Sequence, residues 1–590
     1  MGILSAGFLT GYTISMNRMP NDPDRITYFA ATHTRGKHIA FGIRARDRDK
    51  HMYVIGKSGM GKSTMLENMA IQDIQNGEGL AFIDPHGSTA EKLLDFVPEE
   101  RIKDVLYLAP FDVDNPVGFN IMEDVGYDQR HKVVSGLMGT FERIWADTWS
   151  ARMQYILQNT LLALLEYPGS TIIDVNRMLV NKAFREDVIK HISDPVIASF
   201  WKEEFAGYSD RYTQEATPAI QNKIGQFISN PLIRNVVGQP VSSFDVREMM
   251  DNKKILIVNL SKGRMGETNA ALLGSMLVIK IYLAALSRAE ESPMVMKDLP
   301  PFYFYVDEFQ TVVNDAFEGI LSEARKYKLA LTIAHQYIEQ MSETVRNAVF
   351  GNVGSTVIFR VGPLDAEFLK PVFEPTFYPE DMVNLGIGSI YLTLMIDGVG
   401  SQPFSAQTLP PIEETNRSFK EKIIEHTREN YGRRRESVEE AIRSVNEKWQ
   451  EAAKVKHKES SSGGQSQNRG QAPSGGKKFT PERRREERKP ERPPVEVLRE
   501  KLSVKKEERP KPHFKKEKTH EQKGSQGSEV RNALKDAIAQ ATQGREIKPP
   551  KPKPQPQAQR QKPPQPQPPV RADEGISPEE LQRIINGSEE

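Results

Sequence analysis

Cysteine is absent from the 590 residues, which excludes a disulfide framework, a thiolate metal site and a cysteine nucleophile. Long hydrophobic runs are absent too. A membrane span needs about 18–20 consecutive apolar residues, and the best run, residues 272–286, is too short and carries Lys280. Residues 1–16 are mildly apolar, but with no basic segment before them they make a poor signal peptide. The expectation is a soluble chain with a cytoplasmic address and no intrinsic membrane span. Nor does one sign of charge dominate, with 80 basic against 79 acidic side chains. That balance hides an asymmetry. Residues 451–590 hold 32 basic and 21 acidic groups, whereas residues 1–450 hold 48 and 58. The earlier part alternates apolar runs with turn signals, as folded domains do. The later part is polar and of low complexity, at its extreme KPPKPKPQPQAQRQKPPQPQPPV. Proline at that density removes backbone donors, and too few apolar side chains remain to offset chain entropy. Folded structure is expected to end near Lys454.

What is present is concentrated in a few places. Residues 56–63 read GKSGMGKS, which satisfies the phosphate-loop pattern G-x-x-x-x-G-K-[ST]. Glycines let successive N–H groups turn inward toward phosphate oxygens, Lys62 reaches the terminal phosphates, and the Ser63 hydroxyl suits magnesium. An apolar run, HMYVI, precedes the loop. Met65, Met69, Ile71 and Ile74 follow at near-helical spacing, with Gly77 as the stop. Strand, loop and helix therefore come in the required order, which a plain glycine-rich turn does not need.

Such a site needs a carboxylate at the tip of a second buried strand. PFYFYVDEFQ at 301–310 supplies an unbroken apolar run, Phe302–Val306, ending in Asp307 and Glu308. A carboxylate pair there is costly unless a cation or water uses it. Asp307 is placed to hold magnesium, and Glu308 to polarise the water that attacks the γ-phosphate. A solvated strand end opening a helix is the plain alternative. Further apolar runs at 80–84, 105–108, 255–259, 329–334, 355–361 and 389–396 alternate with helical patterns. The fold class is therefore α/β with a mostly parallel, doubly wound sheet. An Asp397-Gly398 hairpin adds an antiparallel edge.

Three further polar points remain open on the residues alone. Gln336, just past the strand ending at 334, suits the γ-phosphate or the attacking water, or is an ordinary turn glutamine. Arg325, in SEARKYK, suits a neighbouring subunit's phosphates or is a solvated helix arginine, with Arg360 in IFRVG competing for the role. In IDPHGS, Asp84 is placed to assist metal or water, and His86 fits a turn better than a metal site, having no second ligand at metal spacing.

Taken together, GKSGMGKST, FIDPHGS, YVDEFQT and EARKYKLALTIAHQ resemble the FtsK/HerA superfamily of ring-shaped DNA-pumping ATPases, and most of all its TraD/TraG-type branch of type IV secretion and conjugation coupling proteins. The resemblance covers residues 42–409. It implies a RecA-like core, a homo-hexameric ring and a DNA-carrying channel, with ATP as substrate and Mg2+ as cofactor. It also implies that Gly56, Lys57, Ser58, Gly59, Met60, Gly61, Lys62, Ser63 and Thr64 bind ATP and that Ser63 and Asp307 hold the metal. Catalysis then falls to Glu308, Gln336 and Arg325, the last acting across a subunit interface. Unlike membrane-anchored relatives, this sequence shows no transmembrane helices, so the expectation is either a motor working in the cytosol or one docked, through its tail, by a separate membrane or secretion-machinery partner.

The expected organisation is a β-rich lead-in over 1–50, an ATPase domain split into 51–126 and 239–410, and an all-α insertion at 127–238. Trp145, Trp149 and Trp201 would anchor that insertion. C-terminal helices at 411–454 follow, opened by a capping box from Ser437 to Glu440, and then a disordered tail over 455–590 with short helices at 529–541 and 577–586. Basic residues at 477–518 attract nucleic acid by counterion release or serve as a solvated linker; with almost no aromatics, base stacking is not expected there. The expected function is a DNA-translocating ATPase of conjugation-like transfer. The competing expectations are a secretion or pilus-assembly ATPase acting on protein, and a nucleotide-gated scaffold.

Overall fold

Short apolar runs bounded by turns form eleven strands of one sheet: β1 Ile26–Thr34, β2 Lys37–Arg44, β3 Met52–Ile55, β4 Gly79–Asp84, β5 Val105–Leu108, β6 Ile255–Asn259, β7 Phe302–Val306, β8 Leu329–His335, β9 Ser355–Ile358, β10 Ser389–Thr393 and β11 Phe404–Thr408. The structure, a computed structural model, describes residues 8–9, 12–13, 22–34, 37–313, 316–413 and 417–462. The tail features read from residues 463–590, including both short helices, lie outside the described residues.

The strand order is β2-β1-β11-β10-β9-β3-β8-β7-β4-β6-β5. From β9 to β5 every pairing is parallel. From β9 outward to β2 every pairing is antiparallel. The parallel strands are buried along their whole length. Helices cover both faces, so their sequences do not alternate. β10, toward the antiparallel end, does alternate buried and half-buried positions. The fold is thus a mostly parallel RecA-type α/β sheet with an antiparallel extension. One strand, β8, separates β3 from β7, and both β3 and β7 end at the same edge.

Two helices explain where apolar pattern is an incomplete guide. Lys62–Gln75 follows β3 and buries polar as well as apolar positions. Asn68 donates to the Pro410 carbonyl at 2.8 Å and accepts from the Ile412 N–H. Gln72 both accepts from and donates to the backbone of Tyr28. These amides dock β1 and the segment after β11 onto the helix. Glu267–Ser287 is apolar around most of its surface because most positions from Ala270 to Leu286 are buried. Among the described residues one helix, Glu267–Glu290, is long and apolar enough to cross a membrane, although the run read from sequence was too short; 83% of its apolar window is buried inside the fold.

From Tyr127 to Val237 every element is helical. Trp201 is fully buried there, while Trp145 and Trp149 pack against the core from partly exposed positions. The last described helix, Arg435–Ser462, runs past Lys454, and its start corrects the expected capping box. Val438 N–H already donates to Arg434 O, so Ser437 lies within the first turn and cannot cap it. Trp449 docks edge-on against Phe184 of the helical region, ring centroids 5.0 Å apart.

Below the sheet lies a buried ionic cluster that no apolar pattern announces. Arg48 Nη1 donates to Asp73 Oδ1 at 2.8 Å, Tyr305 OH donates to Asp73 Oδ2 at 2.6 Å, and the Arg48 guanidinium sits 3.6 Å from the Tyr303 ring centroid. Arg25 pairs with Glu78, which also meets Lys253. Burial opposes the charge on Arg48, but Asp73 and the two tyrosines outweigh it and raise its pKa. Removing Arg48 leaves the buried Asp73 only Tyr305 and a longer contact to Arg25. Arg48→Ala is expected to cost about 3–5 kcal/mol, read as a lower chemical-denaturation midpoint; an unchanged midpoint would contradict the assignment.

Candidate active site

The loop after β3 is built by close approach and left-handed backbone. Gly56 lies so near β9 that a Cβ there would sit 2.5 Å from Phe359 Cβ. Gly59 and Gly61 have φ of 75° and 113°, a region L side chains rarely enter. The loop is tied to three neighbours: Gly56 N–H donates to His335 O, Lys57 N–H to Arg360 O, and Gly388 N–H to Met60 O. Lys62 is buried, and its ammonium donates to Gly56 O at 2.6 Å and Lys57 O at 3.1 Å. Burial pushes its pKa down, against the pull of Glu308 and Asp307.

Opposite it, at the end of β7, the acidic pair is fully placed. Ser63 Oγ donates to Asp307 Oδ2 at 2.7 Å, and the Glu308 N–H donates to Asp307 Oδ1 at 2.9 Å. Both carboxylates are buried. Burial raises the Asp307 pKa, and the negative charges of Asp84 and Glu308 add to that against the Ser63 hydrogen bond. Glu308 itself has φ 45°, ψ 51°, an unusual conformation for a residue with a side chain. Its carboxylate accepts from two amides, Gln310 Nε2 on Oε2 and Gln336 Nε2 on Oε1. His86 Nε2 stands 4.0 Å from Oε1.

These groups surround a cleft of about 980 Å³ at the carboxyl edge of the sheet, lined by Lys62, Ser63, Thr64, Glu308 and Gln336 together with Ser58, Gly59 and Gly61. Sequence reasoning missed Gln310, Arg143, Lys262 and Gln340, which also line it. Gln310, two residues past Glu308, carried a readable signal. Arg143 and Lys262 carried none, arriving from helices far away in the chain. His86, read as a turn residue, faces the cleft as well.

Other residues are placed elsewhere. Asp84 holds the turn into the helix Ser88–Asp95, its two oxygens accepting from the His86 and Ala90 N–H groups. Arg360 Nε donates to Leu385 O at 2.6 Å. Arg325 is exposed on a turn just before β8. It therefore lies at the opposite edge of the sheet from its own chain's cleft, about 20 Å away along that strand.

Chemically, a hydroxyl and a carboxylate 2.7 Å apart form a hard-oxygen pair, with a second carboxylate beside it oriented by amides. Among the described residues no group of three or more His, Cys, Asp or Glu is arranged to hold a metal.

A family profile described as the type IV secretion-system coupling protein DNA-binding domain matches residues 38–367. Among solved structures, the bacterial conjugative coupling protein TrwBdeltaN70 is 15% identical with a TM-score of 0.47, covering 66% of this chain and 91% of that one. The plasmid coupling protein TrwB in complex with ADP and Mg2+ is 15% identical with a TM-score of 0.47, covering 67% and 98%. VirB4 of Thermoanaerobacter pseudethanolicus is 13% identical with a TM-score of 0.38, covering 62% and 90%. No curated protein matches the chain.

Two buried histidines, His51 at the start of β3 and His335 at the end of β8, give a pH signature. Burial pushes His51 down to about 4 and, with help from Lys62 and Arg143, His335 down to about 3. His335 Nδ1 lies 3.2 Å from the Tyr53 hydroxyl. As pH falls below 6.5, the unfolded chain takes up protons that the folded chain refuses, so stability is lost until about pH 3. His335→Gln should therefore gain on the parent by about 2 kcal/mol between pH 7 and pH 5, measured by urea denaturation at both values. A difference that does not move with pH would refute it.

Proposed function

The chain belongs to the type IV secretion-system coupling protein DNA-binding domain family, and on that premise we propose that it is an ATP-hydrolysing, ring-forming motor that translocates DNA in conjugation-like or type IV secretion transfer. The observation that carries this reading is the Ser63–Asp307 hydrogen bond, formed across 244 residues of sequence beside the buried Lys62. It brings the phosphate loop and the acidic strand tip to one point.

On this reading Gly56, Lys57, Ser58, Gly59, Met60 and Gly61 wrap the triphosphate with their N–H groups, and Thr64 closes the loop side of the cleft. Lys62 exchanges its loop carbonyls for phosphate oxygens. Ser63 and Asp307 are the protein ligands for Mg2+, and their hard oxygens fit it. The ion supplies charge neutralisation at the phosphates. Glu308 accepts the proton of the attacking water, with its carboxylate oriented by Gln310 and Gln336. Gln336 also reaches toward the γ-phosphate, joining its occupancy to β8. Arg325, exposed at the far edge of the sheet, is available to a neighbouring protomer's cleft, where a guanidinium would stabilise the charge that develops in transfer. That placement supports a ring, with a homo-hexamer as the expected assembly. A separate membrane or secretion-machinery partner would dock the motor.

Steady-state ATP hydrolysis, with and without single- and double-stranded DNA, tests the proposal. DNA should stimulate turnover, and Lys62→Ala and Glu308→Gln should each lower it by about 10²–10⁴-fold. One slow rate indifferent to DNA would favour a nucleotide-gated scaffold. Failure to displace a roadblock from duplex DNA, despite DNA-stimulated hydrolysis, would favour a motor acting on protein.

Mixing Arg325→Ala with Glu308→Gln protomers tests the shared site. Each is expected to be inactive alone, and the mixture should recover activity through interfaces that combine an intact Glu308 with an intact Arg325. No recovery at any ratio would count against the role of Arg325.

A further inference from the structure

The loop that carries Glu308 is held from outside the sheet by a residue with no place in the scheme above. Arg143 occupies the end of the helix Tyr127–Ile144, within the all-helical region. Its Nη1 donates to the carbonyl of Val313 and its Nη2 to the carbonyl of Gln310. Gln310 is the residue whose side-chain amide donates to Glu308. One guanidinium thus holds two carbonyls, at Gln310 and Val313, of the short loop that begins at the candidate base.

The rest of that loop is anchored at its middle. Phe309 is buried, and Ser275 Oγ donates to Val312 O at 3.0 Å. Glu308 and Gln310 flank the anchor, so their orientation depends on what holds the backbone around them. Glu308 occupies left-handed backbone, a conformation a side-chain-bearing residue keeps only when its surroundings impose it. Arg143 is one such constraint. The helix that carries it is itself fixed: Val133, Leu137 and Phe141 are buried, and Gly136 packs so closely that a Cβ there would lie 2.8 Å from Ile279.

We propose that Arg143 is a positioning residue for Glu308, and that through it the inserted helical region sets whether the site is competent to hydrolyse. This rests on the proposed ATPase reading. Arg143 acts on the loop backbone, so its loss disturbs the angle of the base and leaves the phosphate loop untouched. Changes in the helical region that move the end of the helix Tyr127–Ile144 reach the chemistry by the same route.

The test compares Arg143→Ala, Arg143→Lys and Glu308→Gln in the full chain. Arg143→Ala should lower kcat by about 10–100-fold, the scale of a displacement of about 1 Å in a catalytic group, with the affinity for a fluorescent ATP analogue unchanged. Arg143→Lys, able to reach one carbonyl, should fall between Arg143→Ala and the parent. Hydrogen exchange should rise in the peptide spanning 309–313 in Arg143→Ala, independently of turnover. An unaltered kcat, or weakened analogue binding in step with kcat, would overturn the proposal, the second by making Arg143 a phosphate contact. If Arg143→Ala fails to fold, as judged by its melting curve, Arg143→Lys carries the test: parental kcat and parental exchange in that folded variant would overturn it. Should Glu308→Gln keep full activity, the ATPase reading itself is at fault, whatever Arg143 does.

Discussion

The site depends on one hydrogen bond, from the Ser63 hydroxyl to the Asp307 carboxylate. It forms only if β3 and β7 end at the same edge of the sheet, one strand apart, which the placement of β8 between them secures. β8 also delivers Gln336 to the shared cleft at its own carboxyl end. Lys62 and Glu308 then face one another because each immediately borders a partner of that bond. The sheet order is therefore what turns two distant motifs into a single arrangement, and the flanking strands serve to hold those three in line.

Much of this was readable in the sequence because its physics is local. Phe302–Val306 is apolar at every position because helices bury both faces, and a run of that kind ending in two acids is hard to mistake. The phosphate loop carries its own signature, since glycine takes the φ values of Gly59 and Gly61 without the strain a side chain would bring. What the sequence concealed depends on contacts between distant elements. Asp73 and Gln72 look like the solvated face of an amphipathic helix, yet each is buried against strands that come from elsewhere. Arg143 looks like any arginine near a helix end. Ser437 and Glu440 satisfy the spacing of a cap, but backbone contacts upstream had already started the helix. Asp84, a carboxylate beside the loop, also holds two N–H groups of the following turn, a contact no spacing announces.

The helical region is more than an ornament on the sheet. Its buried face is continuous with the core around β7 and β8, and it contributes Arg143 to the rim of the cleft. The cleft is thus bounded by the phosphate loop and two strand tips, with Arg143 of the helical region holding the loop beyond one of them. This is the arrangement expected where information from outside the sheet has to meet the chemistry at one point.

The helix Lys62–Gln75 is fastened to β7 at both ends, by Ser63 to Asp307 in its first turn and by Asp73 to Tyr305 in its last. Such a helix cannot slide or tilt against that strand without breaking a buried bond. Helix and strand are therefore pinned together at two points, and a displacement of one is passed to the other and, through β8 and β4 on either side of β7, to the sheet.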